Sequence, residues 1–305
     1  MRRATAPGRT SAIVVAVGIV AVALTGCSSD PNTDCGTALP SGTASELVSA
    51  TGKLGAEPTI DVPSPIDAPT SQRTILTKGT GEKVHQGQRV DITFTVINGE
   101  TGKPVDALQQ GSIALATDAA SRALQCVPVG SRVAVALTPK DAGTGDDASA
   151  PTAIYIIDVL GASLSAANGA VRPAVSGFPT VVLAPTGQPG ITIPSSAAPT
   201  KVRSEVLKAG DGGTVKKDSE VVLQYTAVGW DDKNVVTTSW QAGGPDRADM
   251  STGASQLQNQ QNSVLPQDML GQLVGQKVGS QLVIETPENG SVPAAAWVVD
   301  ILGVR

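Results

Sequence analysis

The chain contains itself twice, and this constrains its fold more than any other feature. Ile75-Leu76-Thr77-Lys78-Gly79-Thr80-Gly81 followed by Val90-Asp91-Ile92-Thr93-Phe94-Thr95 recurs as Val206-Leu207-Lys208-Ala209-Gly210-Asp211-Gly212 followed by Val221-Val222-Leu223-Gln224-Tyr225-Thr226. Later blocks recur in the same order. Val129-Gly130-Ser131-Arg132-Val133 matches Val278-Gly279-Ser280-Gln281-Leu282, and Ile154-Tyr155-Ile156-Ile157-Asp158-Val159-Leu160 matches Ala296-Trp297-Val298-Val299-Asp300-Ile301-Leu302. The lead-ins Pro58-Thr59-Ile60 and Pro179-Thr180-Val181 also agree. Solenoid units repeat every ~20–50 residues, so a period well above that marks a duplicated domain. The expected units are 52–163 and 177–305, joined by an Ala- and Gly-rich linker over 164–176.

Within each copy, Gly79, Gly81, Gly210 and Gly212 supply turns, and the runs after them alternate apolar with polar residues, as half-buried antiparallel strands do. Each copy is expected to open with a hairpin-like pair of strands. Asp118 to Leu124 and Gln256 to Val274 lack strand alternation and contain helix formers, and each precedes a Val-Gly pair, so each copy should carry one short helix. The last strands, Ala153 to Leu160 and Ala295 to Leu302, are nearly all apolar and should lie centrally in their sheets. The class is α+β, mostly antiparallel sheet.

Aromatic residues make up only 2% of the chain, so large core side chains are few and each one carries weight. A net charge of -5 and the absence of a basic stripe exclude nucleic acid as a partner, since nothing would release counterions from phosphates. The only histidine, His85, lies in a polar stretch and reads as a solvated surface residue; no His/Cys cluster suggests a metal site.

Arg2, Arg3 and Arg9 precede an apolar run from Ala12 to Leu24, too short for the ~20 residues of a spanning helix and right for a signal segment. Its end, Leu24-Thr25-Gly26-Cys27, resembles the lipobox of bacterial lipoproteins. That resemblance implies cleavage after residue 26, lipidation of Cys27, a polar tether over 27–51, and export to the outer face of the cell membrane. Two cysteines remain. In an oxidising compartment Cys35 and Cys126 pair by arithmetic; the alternative is two free thiols.

The residues of each copy resemble the FKBP class of peptidyl-prolyl cis-trans isomerases, the second copy more closely. Leu207-Lys208-Ala209-Gly210-Asp211-Gly212, Val222-Leu223-Gln224-Tyr225-Thr226, Val264-Leu265-Pro266, Gly275-Gln276-Lys277-Val278-Gly279 and Val298-Val299-Asp300-Ile301-Leu302 resemble ordered blocks of that family. The resemblance implies two tandem domains, each a twisted antiparallel sheet wrapped around a short helix with a pocket between them. It implies no cofactor, a monomer, and a proline-containing peptide or unfolded exported protein as partner. It assigns Tyr225 to the pocket tyrosine, Trp297 to the last-strand aromatic, and Val264 and Leu265 to the pair whose backbone receives substrate. Val236 and Thr237 fall where the family has Phe-Asp, Met269 falls near its floor tryptophan, and Pro287 to Ser291 stand for a shrunken flap. In the first copy Phe94 and Tyr155 hold the aromatic positions, and Val105-Asp106 keeps the aspartate. Tyr225 and Trp297 could equally be core anchors, and Trp230 and Trp240 read as turn and rim contacts. Two functions follow: a membrane-anchored isomerase of low activity that assists exported proteins, or a degenerate FKBP-like module that binds extended or proline-containing segments without turnover.

Overall fold

The computed structural model describes Met1 and residues 35–145, 150–241, 243–256, 263–290 and 292–305. The signal segment and Cys27 lie outside the described residues. In chain order the elements are helix α1 (Thr43–Glu46), strands β1 (Ser49–Thr51), β2 (Thr59–Asp61), β3 (Gln72–Thr77), β4 (Arg89–Asn98) and β5 (Gln109–Ala114), helix α2 (Ala119–Leu124), β6 (Arg132–Leu137) and β7 (Ala153–Ala162). There follow β8 (Ala170–Val171), β9 (Thr180–Leu183), β10 (Pro189–Thr192), β11 (Arg203–Ala209), β12 (Glu220–Gly229), β13 (Val235–Thr238), β14 (Asp246–Asp249), β15 (Ala254–Ser255), β16 (Ser263–Val264), α3 (Gln267–Gly271), β17 (Gln281–Thr286) and β18 (Ala295–Val304). The chain is mostly antiparallel sheet with few helical residues.

The duplication is visible in the sheets. The first runs β3-β6-β7-β4-β5, and the second contains the same order as β11-β17-β18-β12-β14, extended by β15 and β16 at one edge and β8 at the other. Bulges recur at matching repeat positions, between Ile75 and Thr77 and between Val206 and Lys208 on the first strands, and beside Asp91 and Val222 on the central ones. The opening turns match for a steric reason. A Cβ on Gly79 would stand 2.1 Å from the Val129 carbonyl oxygen, and one on Gly210 would stand 2.2 Å from that of Val278. Only glycine fits so close to another backbone.

The apolar strands β7 and β18 are central, as their lack of alternation suggests. The expected opening hairpins do not form. β3 pairs with β6, and β11 with β17 and β8, because the connection after each first strand crosses the helix end by single bridges, Lys83 to Pro128 and Thr214 to Lys277, before the next strand begins. Helix α2 is capped by Asp118, whose Oδ1 accepts from the Ser121 N–H at 3.0 Å. The helix expected over Gln256 to Val274 shrinks to α3. Pro266 sets its start and Gly275, at φ +85°, serves the turn beyond it, while 257–262 lie outside the described residues.

Two stretches read as tether and linker are packed. From the tether, Ala44, Val48 and Ala50 join Ala134, Ala136, Ile154 and Ile156 in a core on the back of the first sheet, while Val133, Val135, Ile157 and Val159 face the α2 side. Strand β6 is therefore buried on both faces, and the small residues Ala134 and Ala136 make room for the returning chain. From the linker, β8 adds to β11, and the Ala167 N–H donates to Asp300 Oδ2 at 2.9 Å. Asp158 plays the corresponding part in the first repeat, accepting from the Gly55 N–H at 2.8 Å and from Arg132 at 2.6 Å. In the second repeat Gln281 replaces that arginine, at 2.7 Å from Asp300.

Cys35 and Cys126 are joined in a disulfide, Cα to Cα 5.6 Å. His85 is half-buried, its Nδ1 3.6 Å from Cys126 Sγ, so the solvated placement expected for it does not hold. Trp230 stands in the turn directly after β12, as expected, but is not a surface contact. It is buried against Ala294, Ala296, Ile191 and Ile193, and its indole donates to the Ser196 carbonyl at 3.1 Å.

Candidate functional site

The second repeat carries a cavity of about 290 Å³ between the start of α3 and the connection from β17 to β18. Leu265, Pro266, Gln267 and Asp268 form one wall, and Thr286, Pro287, Asn289 and Val292 form the other. The geometry follows from short local devices. Leu265 N–H donates to the Gly253 carbonyl at 2.9 Å and fixes the approach to α3, and the Pro266 carbonyl caps its first turn by accepting from Met269 and Leu270. Opposite, the bridge between Asn289 and Val292 folds the connection into a tight turn.

Beneath this cavity lies the core of the repeat. Trp297 is 4% exposed, and its indole N–H donates to Thr286 Oγ1 at 3.1 Å, so the indole supports the wall from behind. Tyr225 lies against it, ring centroids 6.0 Å apart and tilted by 54°. Met269, Leu270 and Leu273 are fully buried around the pair. Such aromatic pairs contribute about 0.5–1.5 kcal/mol beyond their buried area.

The structure sorts the expected site residues into three groups. Leu265 lines the cavity. Trp297 reaches its wall through Thr286, while Tyr225 and Met269 are sealed in the core, at 1% and 0% exposure. Val236 and Thr237 belong to neither. They sit on β13, a short strand paired only with β12, with Val236 exposed and Thr237 half-buried, and they do not line the cavity. The cause is lateral: Thr237, Ala227 and Trp297 share one register, but β13 pairs on the side of β12 away from β18 and β17, so two strands stand between it and Thr286 of the cavity wall. Val264 pairs through its backbone with Ala254 and directly precedes Leu265.

The Tyr225 hydroxyl, expected to orient a peptide, donates instead to Asp246 Oδ2 at 2.9 Å, and Asp246 Oδ1 accepts from the Gln256 N–H at 3.0 Å. Burial pushes the Asp246 carboxyl above the ordinary range, opposed by these hydrogen bonds, and burial with the nearby Asp246 charge pushes the Tyr225 phenol up. Asp246 was not legible as a site neighbour, being one of several acids in a polar run. Pro287 and Asn289, in the stretch expected to stand for the flap, line the cavity, while the flanking Thr286 and Val292 were missed, since nothing in their types marks a cavity wall.

No protein-family model matches the chain, and no curated relative does. Among solved structures, the three FKBP domains of wheat FKBP73 align with 77% of this chain and 94% of their own at 12% identity and a TM-score of 0.31. A peptidyl-prolyl cis-trans isomerase from Pseudomonas syringae aligns with 30% of this chain and 74% of its own at 22% identity and a TM-score of 0.27. FkpA from Escherichia coli aligns with 30% of this chain and 47% of its own at 16% identity and a TM-score of 0.26.

Proposed function

We propose that the second repeat is an FKBP-like module that takes proline-containing segments into the cavity between α3 and the 287–292 turn and isomerises their X-Pro bonds slowly. The observation that carries this reading is the cavity itself, placed beside Val264-Leu265 and backed by the dry Tyr225–Trp297 pair. Amide rotation faces a barrier of ~18–20 kcal/mol because planarity delocalises the nitrogen lone pair. The twisted state is less polar, so an enclosure that excludes water favours it over the planar one without any nucleophile. Leu265, Pro287 and Val292 supply apolar contact, and Asp268 and Asn289 supply polar groups at the rim.

Val236 and Thr237, which do not line the cavity, and the committed Tyr225 hydroxyl favour a second reading, binding without turnover. A peptide isomerisation assay on the purified chain separates them. Acceleration of cis-to-trans conversion that Val292→Asp reduces supports the isomerase; affinity for the peptide with no acceleration supports the binding module. Absence of both contradicts the site. The lipobox-like Leu24 to Cys27 supports a further part of the proposal, that the module works outside the cell on a lipid anchor at Cys27. Cys27→Ser should then release the protein from the membrane fraction, and unchanged retention would contradict it.

A further inference from the structure

A second cavity, of about 330 Å³, lies between the two repeats. Its first-repeat wall is the Gln86-Gly87 turn and Leu115 to Thr117; its second-repeat wall includes Gln188, Gln224, Trp240 and Gln241. From this cleft we infer a binding site for an uncharged carbohydrate. None of its described lining residues carries a charge, although 16% of the chain does. A charged ligand would thus lose hydration with no opposite charge to meet it. Four glutamine amides converge there with the Thr117, Ser165 and Thr186 hydroxyls. Gln224 is 3% exposed and its Oε1 already accepts from the Ser239 hydroxyl, so it has only its amide N–H donors to offer. The Gln86, Gln188 and Gln241 amides each carry two donors and an acceptor on one planar group, the complement of neighbouring sugar hydroxyls, which donate and accept side by side.

Trp240 supplies the apolar surface that the C–H face of a sugar ring needs. It is half-buried, and its indole N–H is buried without an acceptor. The ring edge rests on Gly187, where a Cβ would lie 3.2 Å from Cη2; at φ +92° that position suits glycine on conformational grounds as well. A proline-rich helix docks on grooves with several aromatic side chains, and here there is one. An adjoining cavity of about 210 Å³ shares Gln86, Ala116 and Thr117 and adds Arg122, whose Nε donates to the Thr37 carbonyl at 2.8 Å, so the cleft continues past a single ring toward one cation.

The walls are held in place before any ligand arrives. Arg89 Nη1 donates to the Pro245 carbonyl across the repeats at 3.0 Å, Leu164 N–H donates to the Leu302 carbonyl at 3.0 Å, and Arg305 pairs with Asp91. Binding then costs little ordering of the protein.

The test titrates the purified full chain with maltotriose, cellotriose and N,N′,N″-triacetylchitotriose, all uncharged, to about 20 mM, following tryptophan fluorescence and heat. At least one trisaccharide should give saturable binding that Trp240→Ala and Gln188→Leu each weaken by about ten-fold or more. Gln188 is half-buried at the rim, so Gln188→Leu should keep the wild-type melting curve and guard against a folding artefact. Saturable binding to none of the three, or binding unchanged in both variants, overturns the inference. So does binding of a decaproline peptide that Trp240→Ala abolishes while the sugars fail to bind.

Discussion

Replacing Tyr225 by Phe separates a core role from a ligand role with one oxygen atom. The hydroxyl donates to Asp246 Oδ2 at 2.9 Å, with the two residues 1% and 0% exposed, so no water can replace it. Phe keeps the ring and its 6.0 Å contact with Trp297, and leaves a buried carboxylate oxygen without its donor. Hydrogen bonds to charged groups contribute about 1.5–3 kcal/mol, which sets the expected loss. Urea unfolding reads it directly: with a slope of about 1–3 kcal/mol per M, the second-repeat midpoint should fall by on the order of 1 M. Peptide isomerisation should stay within about two-fold, because the hydroxyl does not line the cavity and ~0.4 kcal/mol is all that a two-fold change represents. In an Asp246→Asn background the same substitution should cost less, since the two residues form one unit. Unchanged stability together with about a ten-fold fall in isomerisation would refute the reasoning and return the hydroxyl to the substrate.

Burial holds the Asp246 carboxyl, and likewise that of Asp300, above the ordinary value. For an acid whose folded value is raised, the stabilising contribution is full below the unfolded value and is lost as pH rises through the folded one. The difference in stability between wild type and Asp246→Asn should therefore move in favour of the wild type on acidification from neutral pH; urea midpoints across that range showing a constant difference would contradict this. Opening the Cys35–Cys126 bridge, which spans 91 residues, should destabilise the first repeat by about 4 kcal/mol in chemical denaturation, and a loss below about 1 kcal/mol would count against it. Gly79→Ala and Gly210→Ala should each cost about 1–3 kcal/mol, because the added carbon meets a backbone carbonyl in both; a harmless change at either would deny the equivalence of the two turns.

The duplication was readable because it is written in contiguous blocks, and the shared sheet order and the matching bulges follow from it. The central strands were readable because Ile154 to Val159 and Ala296 to Ile301 lack polar alternation. Strand pairing was not, since an opening strand and its successor look like a hairpin until the crossing bridges are seen. The tether hid its role because Ala44, Val48 and Ala50 are too small and scattered to read as a core stripe, yet they fit against Ala134 and Ala136. Of the candidate site, the neighbourhood of Val264, Leu265 and Trp297 was legible from local motifs. That Val236 and Thr237 lie outside the cavity depends on which side of β12 the β13 strand pairs with, which no residue in that segment encodes by itself.

The most direct test of the central claim is an amide-resolved NMR titration of the full chain with the peptide Ala-Leu-Pro-Phe. The account predicts the largest shifts at Leu265, Asp268, Thr286 and Asn289 and at the Trp297 indole N–H, with exchange between the cis and trans peptide signals quickened by the protein. Shifts centred on Val236 and Thr237, or none in the 265–268 and 286–292 segments at saturating peptide, would contradict it.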